Sequence, residues 1–313
     1  MATATKTRRP ARRAATIDAP RFDAYQAITD AIIERLEAGT APWRMPWTTA
    51  DGSLPKSLTT GKAYRGINPF LLLMSAAAKG YSSPLWGTYK AITEKGGQVR
   101  KGEKGTTIVF WKRFPTKELD EAGNPKQAMV LRVYTVFNVE QADGLVLPAP
   151  DVDAEPVDHD PIAECEAAIA PYLADLASVR RDGTRAFYVP ATDALTVPPL
   201  NAHESPEEFY STMFHEIAHS TGHTSRLDRP TFAGHTTAQA YGKEELVAEL
   251  GAAMLAGILG VSPAVIDNSA AYLADWIKTL RGDNKLVVQA AAQAQRAADL
   301  VLGVTFEEAA VAA

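Results

Sequence analysis

The pentapeptide His215-Glu216-Ile217-Ala218-His219 constrains this chain more than any other feature, because its two imidazoles meet only if the segment is an α-helix. Four residues make about one helical turn, so both rings fall on one face and can jointly hold Zn²⁺ at about 2.0–2.1 Å. The chain supplies the start of that helix itself. Ser205-Pro206-Glu207-Glu208 offers an N-cap serine, a proline at the first helical position and a glutamate at the third. The helix should run from there to about Gly222. Glu216 follows the first histidine directly and is the candidate general base toward a water polarised by the metal.

A hydrolytic zinc site needs a third protein ligand and one open position. The metzincin pattern would require a histidine six residues after His219, and Ser225 stands there instead. His223 lies four residues on, but Gly222 breaks the helix between them. His223 then reads as a residue that supports the site from behind or pins its loop, with a ligand role as the alternative. The segment Lys243 to Leu250 carries three glutamates in apolar surroundings, where an inward carboxylate is costly unless a cation or hydrogen bond meets it. Glu245 and Glu249 share a helix face. Glu245 is the expected third ligand and Glu249 the carboxylate that orients a histidine, with Glu249 as ligand the alternative; Glu244 is expected to face solvent. The result is a gluzincin-like site of two histidines and a glutamate, suited to hydrolysis of a peptide or related acyl bond. Tyr241 could donate to an oxyanion there or be a plain surface tyrosine.

Charge divides the chain. Residues 1–150 hold 22 Lys and Arg against 13 Asp and Glu, or +9, and residues 151–313 hold 10 against 24, or −14, which together restore the net −5. Only the first half should attract a polyanion. Between Leu147 and Pro161 come four prolines and five carboxylates, a composition that stays extended and buries little. We therefore expect a basic disordered tail (1–20), a first domain (21–146), an acidic linker (147–161) and a second domain (162–313). The tail lacks the apolar core of a secretory signal, although its Arg-rich composition also fits a mitochondrial-type presequence. With one cysteine, Cys165, no intrachain disulfide can form, and no run of about 18 apolar residues exists. A cytoplasmic protein with no membrane partner is expected.

In the first half, Tyr25, Ile28, Ile32 and Leu36 recur at helical spacing, from Phe22 to a stop at Gly39, and a second helix should span Asn68 to about Lys79. Thr106–Phe114 and Ala128–Val139 read as a hairpin around a turn-rich insert, Glu118–Lys126. In the second half Asp160-Pro161 opens a helix, Arg185 to Val197 forms strands around Thr192-Asp193, and helices dominate thereafter. The fold class is α+β in two domains. Interleaved rings and cations in the first half suit single-stranded DNA, where bases stack and phosphates meet charge. The candidates are Trp43, Trp47, Tyr64, Trp86 and Trp111 with Lys62, Arg65, Asn68, Arg100, Lys101 and Lys104. Most of these rings could equally be core, and Phe110 and Trp111 should take opposite faces of their strand. The glycine-rich stretches Thr60–Asn68 and Gly96–Thr106 lack the Gly-Lys-Ser/Thr ending of a P-loop, which argues against nucleotide hydrolysis.

These segments together resemble the ArdC-type antirestriction proteins of plasmids, phages and other mobile elements. In the first half the resemblance rests on Pro46-Trp47, Thr60-Gly61, Tyr64 through Asn68, Gly80-Tyr81, Trp86, Gly97, Val99 through Thr106 and Val136-Phe137-Asn138. In the second it rests on Tyr210, His215 through His219, Thr221-Gly222-His223, Arg226-Leu227 and Glu244 through Glu249. The resemblance implies an N-terminal domain that binds single-stranded DNA and a C-terminal zincin-like metallopeptidase domain, in a family that protects incoming DNA from restriction. The family's N-terminal domain is also similar to that of some plasmid primases, but a primase catalytic domain is not recognised in these residues, so primase activity is not expected of them.

The expected cofactor is Zn²⁺, with Mn²⁺ or another divalent ion as alternatives. The expected partners are single-stranded DNA, with duplex DNA as an alternative, a peptide or protein substrate, and components of a restriction system. Two other readings compete: a DNA-binding protector with a structural metal, and a metalloprotease whose basic domain recruits an acidic protein.

Overall fold

In the computed structural model the described residues are 22–44, 53–120, 123–145, 147, 161–230, 238–261 and 270–305. The basic tail, Trp47 and nearly all of the expected linker lie outside them. The protein is a two-domain α+β molecule.

Helix α1 (Ala24–Glu37) starts where the Asp23 carboxylate accepts hydrogen bonds from the backbone N–H groups of Tyr25 and Gln26, and it buries Ile28, Ile32 and Leu36. Phe22, the expected start of this stripe, stands outside the helix and exposed. Helix α2 (Asn68–Lys79) has its proline in the first turn and ends at Gly80 in the left-handed conformation. Strands β1 (Lys56–Ser57), β2 (Leu85–Thr88), β4 (Thr106–Leu119) and β5 (Pro125–Asn138) form a sheet in the order β1-β2-β5-β4. Helix α3 (Tyr89–Glu94) follows β2, and β3 (Gln98–Val99) pairs with β6 (Ala142–Asp143).

The hairpin is longer than its β-branched core suggests. The two ends of the turn-rich insert belong to the strands: Leu119 faces Pro125 after an irregularity beyond Pro115, and Asp120 accepts from the backbone N–H of Asn124 to close a tighter turn. Strand β5 stops one residue early, at Asn138, whose side chain caps the short turn that follows.

The C-terminal domain contains α4 (Pro161–Ala174) and a small sheet in the order β7-β9-β8, built from β7 (Ser178–Arg181), β8 (Phe187–Val189) and β9 (Ala194–Val197). Four helices complete it: α5 (Pro206–Ser220), α6 (Ala238–Ile258), α7 (Ala270–Gly282) and α8 (Leu286–Val301). Helix α6 packs between α5 and α8. Gly251 permits that approach, since a Cβ there would lie 3.0 Å from the Cβ of Ala218. No helix among the described residues is long and apolar enough to cross a membrane.

One hydrophobic cluster runs through both halves, with Ile28, Ile32, Trp43 and Met74 joining Phe214, Leu250, Trp276 and Leu280. Helix α1 lies on α7, and Thr29 donates to the Asn284 carbonyl at 2.8 Å. Part of the charge asymmetry is consumed inside the molecule. Arg65 pairs with Asp299 and Arg44 with Glu249, each joining a cation of the basic half to a carboxylate of the acidic half.

Candidate metal centre

Helix α5 begins as its local sequence dictates. The Ser205 hydroxyl accepts from the Glu208 N–H at 3.2 Å, and the Glu208 carboxylate reaches back to the N–H of Glu204 at 2.7 Å. The opposite end of the helix carries His215 and His219, whose rings stand 4.7 Å apart at 81°. Glu245 on α6 faces them.

Ligand atoms around a tetrahedral ion with bonds of about 2.0–2.1 Å sit about 3.3 Å apart. Here His215 Nε2 and His219 Nε2 are 3.1 Å apart, and Glu245 lies 3.3 Å from the His219 nitrogen and 3.6 Å from that of His215. All three ligand atoms fall within 4.8 Å of one another, so the donor set fits a divalent ion. Burial opposes charge on Glu245, but the two histidines outweigh it and hold the carboxyl well below its usual range. Burial would likewise depress His219, yet the hydrogen bonds its ring donates to Glu244 and Glu245 raise it to about 9.

Glu216 accepts a hydrogen bond from the backbone of Tyr188 on β8 and feels the charges of His215, His219 and Glu245. Burial pushes this carboxyl up and the charge of Glu245 adds to the shift, although His215 and His219 oppose it. A carboxylate raised toward neutrality can take up and return a proton. Strand β8 is itself anchored: Arg226 donates to Asp193, to the Tyr188 hydroxyl at 3.1 Å and to the Ser220 carbonyl at 3.0 Å, tying the sheet to the end of α5. The exposed Tyr241 hydrogen-bonds Glu245, whose charge is the main cause raising the phenol.

Two glutamates depart from their expected places. Glu244 is fully buried and does not face solvent. One of its oxygens lies 3.5 Å from His219 Nδ1, and both accept from the guanidinium of Arg229. Arg229 is 2% exposed and also caps α5, donating to Thr221 Oγ1 at 2.5 Å and to the Ala218 carbonyl at 2.8 Å. Glu249 contacts no histidine among the described residues. It accepts from Tyr272 at 2.9 Å and from Arg44 at 3.2 Å, because one further turn of α6 carries it away from α5 toward the N-terminal domain. His223 is turned away from the ligand atoms and bonds Ser225 at 2.7 Å within its own loop. Arg229 escaped the sequence reading because no spacing rule links it to Glu244 across the intervening loop.

In the N-terminal domain the structure removes four residues from the expected DNA surface. Trp43 is 2% exposed, donates to the Tyr272 hydroxyl at 2.9 Å and packs edge-on against Trp276. Trp86 and Tyr64 lie in the core beneath the sheet. Asn68 spends its amide on both backbone groups of Val109, at 2.8 and 2.9 Å. Groups committed to packing and buried hydrogen bonds have no surface left for bases. Arg65 is paired with Asp299, and Arg100 is held by Glu103, Asp143 and the Glu140 carbonyl. Lys62, Lys101 and Lys104 are exposed. Trp111 is partly exposed near the Tyr25 ring, while Phe110 on the opposite face meets Tyr64 and Tyr134.

Two family models match this chain: the N-terminal domain of the anti-restriction factor ArdC over residues 22–137, and a zincin-like metallopeptidase over residues 166–293. The crystal structure of the antirestriction ArdC protein from plasmid R388 in metal-free form is 41% identical, with a TM-score of 0.70, covering 90% of this chain and 97% of that one. The Mn(II)-bound form of that protein is 40% identical with the same TM-score, covering 90% and 98%. An Escherichia coli protein named DNA primase TraC is 37% identical over 311 residues, which cover 92% of this chain but only 20% of the primase. A relative of this identity, matched over nearly its whole length by both domains, identifies the chain as a member of the ArdC antirestriction family with a zincin-like C-terminal domain.

Proposed function

We propose that this protein is a cytoplasmic, DNA-associated antirestriction factor whose N-terminal domain binds single-stranded DNA and whose C-terminal domain is a metal-dependent peptidase. The convergence of His215, His219 and Glu245 within 4.8 Å carries the metal part of this reading. Zinc and manganese both suit two imidazoles and a carboxylate, and the R388 relative has a Mn(II)-bound form. A bound ion would polarise an acyl carbonyl and acidify a water. Glu216 would accept the proton of that water and return it to the leaving group. Tyr241 stands beside Glu245, where its hydroxyl could turn to a developing oxyanion. The single-strand part rests on family membership and on the cationic surface that includes Lys62, Lys101 and Lys104.

Metal analysis and restriction challenge of the same variants test this reading. His215→Ala should lose bound metal, whereas Glu216→Ala should keep it and lose hydrolysis. Metal retained at full occupancy in His215→Ala would overturn the ligand set. Full protection from restriction by Glu216→Ala would favour a protector that simply occupies DNA, with a structural metal. For the N-terminal domain, affinity for single strands should fall steeply with salt, and a flat response would point to a protein partner.

A further inference from the structure

We propose that a cavity in the N-terminal domain between Tyr89, Gln98, Lys101, Phe137 and Asp143 takes one unpaired nucleobase that carries an exocyclic amine. The proposal deepens the single-strand reading and rests on it. The cavity measures about 580 Å³, within the range of about 300–1,000 Å³ usual for small-molecule sites. One nucleotide would fit.

Its walls divide by chemistry. Tyr89, the first residue of α3, is 49% exposed and braced behind by Phe137, edge-on at 6.5 Å, so the ring has a surface to offer a base. The Gln98 amide donates to the Tyr89 hydroxyl at 2.7 Å, which fixes the ring and leaves the amide carbonyl as an acceptor. Gly97 sets Gln98 in place. A Cβ there would strike Leu145 at 2.5 Å and Ile92 at 3.0 Å, so only glycine lets this turn tuck beneath the cavity. On the rim, Asp143 pairs with Arg100 through one oxygen at 3.4 Å while its side chain stays largely in solvent. Lys101 is exposed and makes no ion pair among the described residues, which leaves its ammonium for a phosphate.

Arg100 and Glu103 also line the cavity, but Arg100 donates to Asp143, Glu103 and the Glu140 carbonyl, and Glu103 accepts from Gln141 as well. This leaves the Gln98 carbonyl and an Asp143 oxygen as the acceptors that face a bound base beside Lys101. Adenine, cytosine and guanine present an exocyclic amino group to such a rim, whereas thymine presents only its single ring N3–H. Stacking on Tyr89 is indifferent to sequence, so the acceptors would supply the preference.

Fluorescence anisotropy of the full chain with equal-length oligo(dA), oligo(dC) and oligo(dT), and competition by free dAMP, tests the assignment. Oligo(dA) and oligo(dC) should bind several-fold tighter than oligo(dT). Tyr89→Ala should lose about tenfold on oligo(dA), the scale of one lost stacking contact. Tyr89→Phe should recover most of that loss, and Asp143→Ala should level the three oligonucleotides. Because Tyr89 is a surface residue, a thermal melt of each variant verifies that the fold is kept. Unchanged affinity of Tyr89→Ala would overturn this site and leave the single-strand reading standing. Failure of the unaltered protein to bind any oligonucleotide would overturn both. Free dAMP that competes as well as oligo(dA), and loses this in Tyr89→Ala, would reassign the cavity to a mononucleotide.

Discussion

Glu244 and His219 face one another across 3.5 Å, carboxylate oxygen to Nδ1, while the Nε2 of the same ring looks toward His215 and Glu245. The two nitrogens of one imidazole thus meet two carboxylates from adjacent positions of α6. A carboxylate on the far nitrogen fixes the tautomer and orientation of the ring and raises its basicity as a ligand. Glu244 is in turn held by Arg229, so the orientation of His219 is set by a buried ion pair that also caps the helix bearing it.

Removing half of that pair should be costly. Glu244→Ala leaves the Arg229 guanidinium buried without its counter-charge, and the expected loss is about 3–5 kcal/mol in a chemical denaturation series. Glu244→Gln keeps the volume and should weaken metal binding about 10–100-fold by calorimetry. Equal affinity in Gln and wild type would mean that the carboxylate does not act on the ring.

The two remaining glutamates of α6 should separate cleanly. Glu245→Ala is expected to abolish metal binding. Glu249→Ala should leave metal affinity within about twofold, since one to two kcal/mol of lost hydrogen bonding to Arg44 and Tyr272 falls on the domain contact. Metal loss in Glu249→Ala would restore it as the ligand.

Trp43 and Trp86 should behave as core residues. Either replaced by alanine should cost about 3–5 kcal/mol of stability in urea, with no loss of DNA affinity beyond that of the unfolded fraction. Trp111→Ala should cost far less stability, because its ring is partly in solvent. A stable Trp43→Ala protein with weakened DNA binding would contradict its buried position.

Asp193 should add an acid-sensitive increment to stability. Burial pushes its carboxyl up, but hydrogen bonds from Arg226 and Tyr188 outweigh that and hold it below its usual range. A depressed carboxylate contributes stability in full above its unfolded value of about 3.9 and loses it as pH falls through the lower folded value. Asp193 has a positive φ of 48°, which asparagine tolerates, so Asp193→Asn isolates the charge. Wild type should be the more stable at neutral pH, and the gap should close as the solution is acidified. A gap independent of pH would mean that the charge is not what holds Arg226.

The sequence by itself determined what depends on neighbours along the chain. Helices α1, α2 and α5 begin at Asp23, beside Pro69 and at Ser205 because a cap or a fixed φ acts within one turn. The two histidines share a face because helical periodicity is local. For the same reason the α+β character, the hairpin and the family resemblance were all readable from residue order.

Only the tertiary structure decided which way α6 presents its three glutamates. Rotation of that helix is fixed by the contact of Gly251 with Ala218 and by the buried Arg229, neither of which leaves a periodic trace near Glu244. It also decided which aromatic rings are core. Trp43 and Trp86 look like stacking platforms in a basic sequence, but their apolar area is removed from water by partners up to 233 positions away, Trp276 against Trp43 being the clearest. Burial is a property of distant contacts, and a linear pattern of rings and cations carries no record of them.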